Sequence, residues 1–60
     1  MKEYEYNGYL IEIHENPIYH DFQFVIKTLD SHEVKATNKQ LFDNQMDAQE
    51  IAELTINSFE

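Results

Sequence analysis

The sequence predicts a two-layer α+β domain: an antiparallel meander of three or four strands with one C-terminal helix packed on one face. Three observations predict it. Apolar and polar residues alternate over 9–14 and again over 22–29, the period of a half-buried strand. An Asn7-Gly8 pair lies between two tyrosine-bearing runs, and both positions tolerate the positive φ of a tight hairpin turn. From Ala48 onward, apolar residues return at spacings of three and four, marking one face of a helix.

Residues 4–14 read Tyr-Glu-Tyr-Asn-Gly-Tyr-Leu-Ile-Glu-Ile-His. Tyr9, Ile11 and Ile13 alternate with Leu10, Glu12 and His14. A two-residue turn at Asn7-Gly8 would set Tyr6 opposite Tyr9 and Tyr4 opposite Ile11, all on one face. It would also set Glu3 opposite Glu12, and facing like charges oppose pairing. Two versions stay open, a true hairpin and one long strand bent at Gly8, with the hairpin preferred.

Residues 15–21 form a loop. Asn16-Pro17 starts a turn, because proline fixes its own φ and keeps its predecessor extended. Phe22, Phe24 and Ile26 then point one way along a second clear strand, while Gln23, Val25, Lys27 and Leu29 point the other. Asp30-Ser31 turns the chain into a further strand over 33–37, with Val34 and Ala36 expected inward. Asp43 or Asn44 caps the helix with a side-chain oxygen, and Phe42 is expected to tuck under its start. Ala48, Ile51, Ala52, Thr55, Ile56 and Phe59 form the expected buried stripe. Asp47, Glu50, Glu53 and Asn57 take the opposite face, and Glu60 sits unfavourably near the negative end of the helix dipole.

One helix covers one face of such a sheet. The other face is expected to carry Leu10, Val25 and Leu29 among Glu12, His14, Gln23, Lys27, Lys35 and Thr37, an arrangement an antiparallel sheet tolerates in water.

The chain has 60 residues and no cysteine, so residues 1–60 make one domain with no disulfide or thiolate site to hold it together. Small unstapled chains often gain stability by oligomerising, and a homodimer is therefore expected. The formal net charge is −8, from twelve acids and four lysines without arginine. Nucleic-acid affinity comes mainly from basic side chains, so direct nucleic-acid binding is not expected, nor is binding to an anionic membrane. A basic protein is the complementary partner. The first residues, Met1-Lys2-Glu3-Tyr4-Glu5, lack the apolar run and cleavage site of a secretory leader. Apolar runs reach only three residues or so, as in Phe24-Val25-Ile26, against the ~20 a membrane helix needs. The expected location is cytoplasmic.

Catalytic and metal signatures do not outweigh ordinary structural roles. His14, His20 and His32 match no helical or finger ligand spacing and read as surface histidines. Ser31 and Ser58 lack a nucleophile-elbow context, and the one glycine excludes a glycine-rich phosphate loop. Carboxylates are numerous but fall on exposed faces rather than in a cleft. No catalytic residue, metal ligand or cofactor is assigned, and the chain reads as a non-enzyme. Tyr4, Tyr6, Tyr9 and Tyr19, with Phe22 and Phe24, could form a base-stacking platform, but such platforms come with a basic groove. Core packing is the better reading for all but Tyr19.

Three surfaces remain as candidates. Leu10, Val25 and Leu29 could serve self-association. Ile18, Tyr19 and His20 could make a loop contact. Asp47, Glu50 and Glu53 could dock a basic surface.

The run Phe-x-Phe-x-Ile from Phe22, followed by a polar turn, a short strand, Phe42 and Ala48-x-x-Ile51-Ala52, resembles in outline the HicB-like antitoxin domain and the short YegP-type repeat. The opening Tyr6-Asn7-Gly8-Tyr9-Leu10-Ile11 resembles the start of many short bacterial proteins. The resemblance implies a sheet with one helix on a face. The chain lacks the Pro-Asp-Leu-Pro-Gly-type segment that HicB-like domains carry between strands, so no functional residue transfers. The expected function is a small non-enzymatic interaction module that self-associates. The alternative is an acidic inhibitor or antitoxin-like protein that binds a basic protein surface, in one form as a nucleic-acid mimic.

Overall fold

Four strands lie side by side in the order in which the chain makes them, and one helix follows. The computed structural model describes residues 2–38 and 40–59. The strands are β1 (Lys2–Tyr6), β2 (Tyr9–Glu15), β3 (Phe22–Thr28) and β4 (Val34–Thr37), all antiparallel, and the helix is α1 (Gln45–Asn57). This is the α+β meander with one C-terminal helix that the sequence predicts, with four strands.

The β1–β2 connection is a true hairpin. Asn7 and Gly8 both take positive φ, 50° and 89°, so the turn twists with the strands it joins. Tyr6 pairs with Tyr9, Tyr4 with Ile11 and Glu3 with Glu12. The facing carboxylates are tolerated because Lys27 Nζ lies 2.9 Å from Glu12 Oε2 on the same sheet face.

The loop between β2 and β3 is built on Asn16. Its side-chain oxygen accepts from the Ile18 and Tyr19 amides at 2.8 and 3.3 Å. Its carbonyl accepts from the His20 amide, and its own amide donates to Asp21. His20 closes this loop at φ 58°, and His32 takes φ 57° in the loop between β3 and β4.

Inward-facing residues follow the strand period. Ile11, Ile13, Phe24 and Ile26 are almost completely buried, together with Ala48, Ala52 and Ile56 of α1. The two alanines, four apart on one helix face, bring α1 close to the sheet. Tyr4, Tyr6, Tyr9, Phe22, Ala36 and Phe42 pack around this centre, so the three strand tyrosines are core-rim residues. Phe42 forms a bridge with Phe22 through reciprocal backbone hydrogen bonds of 2.8 and 3.0 Å. Its ring stacks on Phe24 at 6.1 Å, which fixes the chain just before the helix. Asn44 is the helix cap: its Oδ1 accepts from the Asp47 amide at 2.8 Å.

Several expectations require correction. Val34 does not face the core. The β3–β4 register shifts between Ile26 and Lys27, so Ile26 pairs with Ala36 while Lys27 pairs with Val34. The extra residue, Lys35, flips Val34 onto the outer sheet face beside Lys27 and leaves it 54% exposed. Lys35, expected on that outer face, instead borders a hollow with Tyr9 and Phe59. Leu29 is not part of a strand, because β3 ends at Thr28 and Leu29 begins the turn. Ile51 and Phe59, expected in the buried stripe, are each more than one-third exposed. Glu60 lies outside the described residues.

Candidate functional site

The outer sheet face shows how the sequence-predicted self-association patch is arranged. Leu10 pairs with Lys27 and Glu12 with Val25, so apolar and charged side chains alternate in a checkerboard. At its centre Lys27 Nζ donates to Glu12 Oε2, and His14 Nε2 lies 3.1 Å from Glu12 Oε1. The Lys27 bond holds the Glu12 carboxyl below its ordinary value of 4.5, with a smaller contribution from His14. Leu10 and Val25 are half-buried among these charged side chains. Leu29 lies apart from them in the turn. The three aliphatic residues therefore do not form a continuous apolar patch.

Ile18, Tyr19 and His20 are brought together at the tip of the Asn16 loop. Ile18 and Tyr19 are each 76% exposed, so they do not cap the core. His20 Nδ1 lies 3.1 Å from Glu15 Oε2. Beside it, Asp21 Oδ1 is buried with no hydrogen-bond partner among the described residues. No group of three or more metal-ligating side chains comes together among the described residues.

The three acids of α1 separate. Asp47 and Glu50 are exposed, and both border a shallow hollow with Gln40, Phe42 and Ile51. Glu53 turns the other way, towards β1, where its Oε2 accepts from the Tyr4 hydroxyl at 2.8 Å. Burial, then this hydrogen bond and the adjacent negative charge, push the Tyr4 phenol up to about 12. Next along, the Asn57 amide donates to the Tyr6 hydroxyl at 3.2 Å. Glu53 thus belongs to the seam that ties α1 to β1, and the solvent-facing acidic face is reduced to Asp47 and Glu50.

The opposite flank of the helix is open, and sequence reasoning missed it. The helix packs on β2 and β3, and β4 extends beyond it. Between β4 and α1 lies an apolar hollow of about 440 Å³, floored by Phe24 and Ala36 and walled by Phe42, Ile51 and Thr55. Asn38 closes one end: its Oδ1 accepts from the Phe24 amide at 3.0 Å, taking the place of a β4 carbonyl after the strand ends. Ile51 exposes 39% of its surface on this flank, and Leu54, one turn further along the helix, exposes 54%. The available signal was the shape of the stripe itself. At 100° per residue Ile51 stands well to one side of Ala48, Ala52 and Ile56, while Ala36 is too small to reach the helix.

No protein family, no curated protein and no solved structure matches the chain. No described helix is long and apolar enough to cross a membrane.

Proposed function

We propose that this protein is a non-enzymatic interaction module that engages another protein chain through its β4 flank. One observation carries the reading: the helix seals the β1 side with two side-chain contacts and leaves the β4 side open, with Ile51 exposed beside an apolar hollow on the inner side and Val34 exposed on the outer side of the same edge strand. An exposed sheet edge beside an apolar hollow is a ready template for another chain. Cytoplasmic residence, where a chain without cysteines loses nothing, is part of the same proposal.

Two occupants fit the flank. A second copy would make a homodimer by pairing exposed edges. A basic protein would complement the net charge of −8 and would make the chain an acidic inhibitor-like binder. Salt separates them physically: screening relieves repulsion between two acidic copies and weakens attraction to a basic partner.

Photo-crosslinking in the producing cell tests the reading. A photoreactive amino acid at Leu54 or Val34 is expected to give adducts with a second chain, whereas one at Glu5 on the far edge is not. Adduct yields at Leu54 and Val34 no higher than at Glu5 would reject the β4 flank as an interaction surface. Sedimentation over a dilution series then distinguishes the occupants, since a homodimer doubles the mass and a heterologous binder leaves a monomer.

A further inference from the structure

We propose that the β4 edge takes up an extended basic segment of another protein as a fifth strand, with one apolar side chain of that segment seated in the Ala36–Ile51 hollow and its lysine or arginine side chains against Asp47 and Glu50. The inference rests on the interaction-module reading and specifies its partner.

The backbone supplies the first requirement. β4 is a terminal strand of the sheet, so its outer N–H and C=O groups have no strand partner among the described residues and can template an added strand. The other terminal strand, β1, is different. Above it, Tyr4 and Tyr6 are joined to Glu53 and Asn57 of the helix, so the inner side of that strand is already engaged by the helix.

The hollow supplies the second requirement. Successive side chains of a strand point to opposite faces. A strand laid along Val34–Thr37 would direct alternate side chains towards the helix, into the space bounded by Ala36, Phe24, Ile51 and Thr55. An alanine at position 36 leaves that space unfilled from within the chain.

Charge decides between the occupants. Asp47 and Glu50 border the adjoining hollow with Phe42 and Ile51, and no lysine, arginine or histidine lies between Asp43 and Asn57. A second copy would bring the same acidic helix to the same place and a further charge of −8. A segment that alternates basic and apolar residues meets both the acidic rim and the apolar floor.

The test uses a synthetic peptide of alternating lysine and valine or leucine, blocked at both ends, titrated into the isotope-labelled protein. Saturable binding is expected, with the largest amide shifts at Val34–Thr37 and with shifts of the Ala36 and Ile51 methyl groups. Binding should weaken by about tenfold or more in three controls: a peptide with glutamate for lysine, a peptide N-methylated on its central residues, and the protein variant Ile51→Gln, whose exposed position leaves the core intact. N-methylation removes strand hydrogen bonds while keeping charge and side chains, so equal binding of that peptide overturns strand addition. Shifts confined to β1 or to the outer sheet face, or no binding at millimolar peptide, also overturn it. Crosslinks at Leu54 together with a failed titration would leave the module in place and remove the basic-strand partner. Loss of both would remove the module as well.

Discussion

The Tyr4 hydroxyl donates a 2.8 Å hydrogen bond to the Glu53 carboxylate and thereby joins the first strand to the helix across 49 residues of sequence. β1 is an edge strand, and its inner face meets the helix only at its margin. This contact, with the neighbouring pair of Tyr6 and Asn57, is what closes that margin. The same contact explains why the acidic helix face is narrower than its sequence suggests.

Tyr4→Phe should therefore lower stability by about 1 kcal/mol, the net worth of one partly exposed hydrogen bond to a charged group. The pH dependence has a definite sign. The folded phenol titrates at about 12 against an ordinary value of 10.0. The contribution is complete below pH 10, falls as the unfolded chain ionises, and is gone once pH passes through the folded value. Absorbance titration should show a late tyrosine phase in the native protein that is missing from Tyr4→Phe. Loss of an early, ordinary phase in Tyr4→Phe, with no late phase in the parent, would disconnect Tyr4 from Glu53 in solution.

Glu12 provides the acid-side counterpart. Its carboxyl is held below 4.5 chiefly by Lys27. A depressed folded value means the stabilisation is present above 4.5 and is lost as pH falls through the folded value. Glu12→Gln should cost on the order of 0.5–1 kcal/mol at neutral pH, as expected for a partly exposed pair. It should also make denaturant midpoints less sensitive to pH below 4.5. Parallel pH profiles for the variant and the parent would show that the pair contributes no net stability.

Gly8 isolates a purely conformational requirement. Its φ is 89°, and nothing lies within 4 Å of where a Cβ would be. Gly8→Ala therefore introduces no clash, only the cost of holding an L-residue at positive φ, about 1 kcal/mol. A chemically synthesised chain with D-alanine at this position should regain that stability and exceed the parent, since D-residues favour this region and the unfolded chain loses freedom. Equal stability of the L- and D-alanine chains would mean that the turn rearranges.

Much of this architecture is legible because each strand carries its own period. Ile11, Ile13, Phe24 and Ile26 alternate without interruption, and Asn7-Gly8 favours the first register by turn chemistry, while Glu3 facing Glu12 kept a bent single strand open as the alternative. Asp43 and Asn44 are both competent caps, and only the path of the chain through the Phe22–Phe42 bridge places Asn44 at the helix start. The candidate site was hidden for a related reason. It depends on the helix crossing β2 and β3 and stopping short of β4, a relation between elements distant in sequence. The register shift at Lys35 left no local trace, because Val34-Lys35-Ala36-Thr37 reads as an ordinary alternating strand. Glu53 was misplaced because helix periodicity puts it near the acidic side, whereas a tyrosine on the neighbouring strand determines its partner.

Val34 offers the sharpest test of that register shift. If the β4 alternation were regular, Val34 would share the inner face with Ala36, and replacing it by threonine would put a hydroxyl into apolar packing. Val-to-Thr exchange in a core is not a volume-neutral swap, because the hydroxyl loses its water, and it would cost well over 1 kcal/mol. With Val34 opposite Lys27 on the outer face and 54% exposed, the hydroxyl stays hydrated and threonine keeps a β-branched shape suited to a strand. Val34→Thr should therefore change stability by less than about 0.5 kcal/mol, while Ala36→Ser, on the inner face, should cost more. Denaturant unfolding of the two variants decides it: a large loss in Val34→Thr would return Val34 to the core and remove the shift, together with the exposed edge it helps to shape.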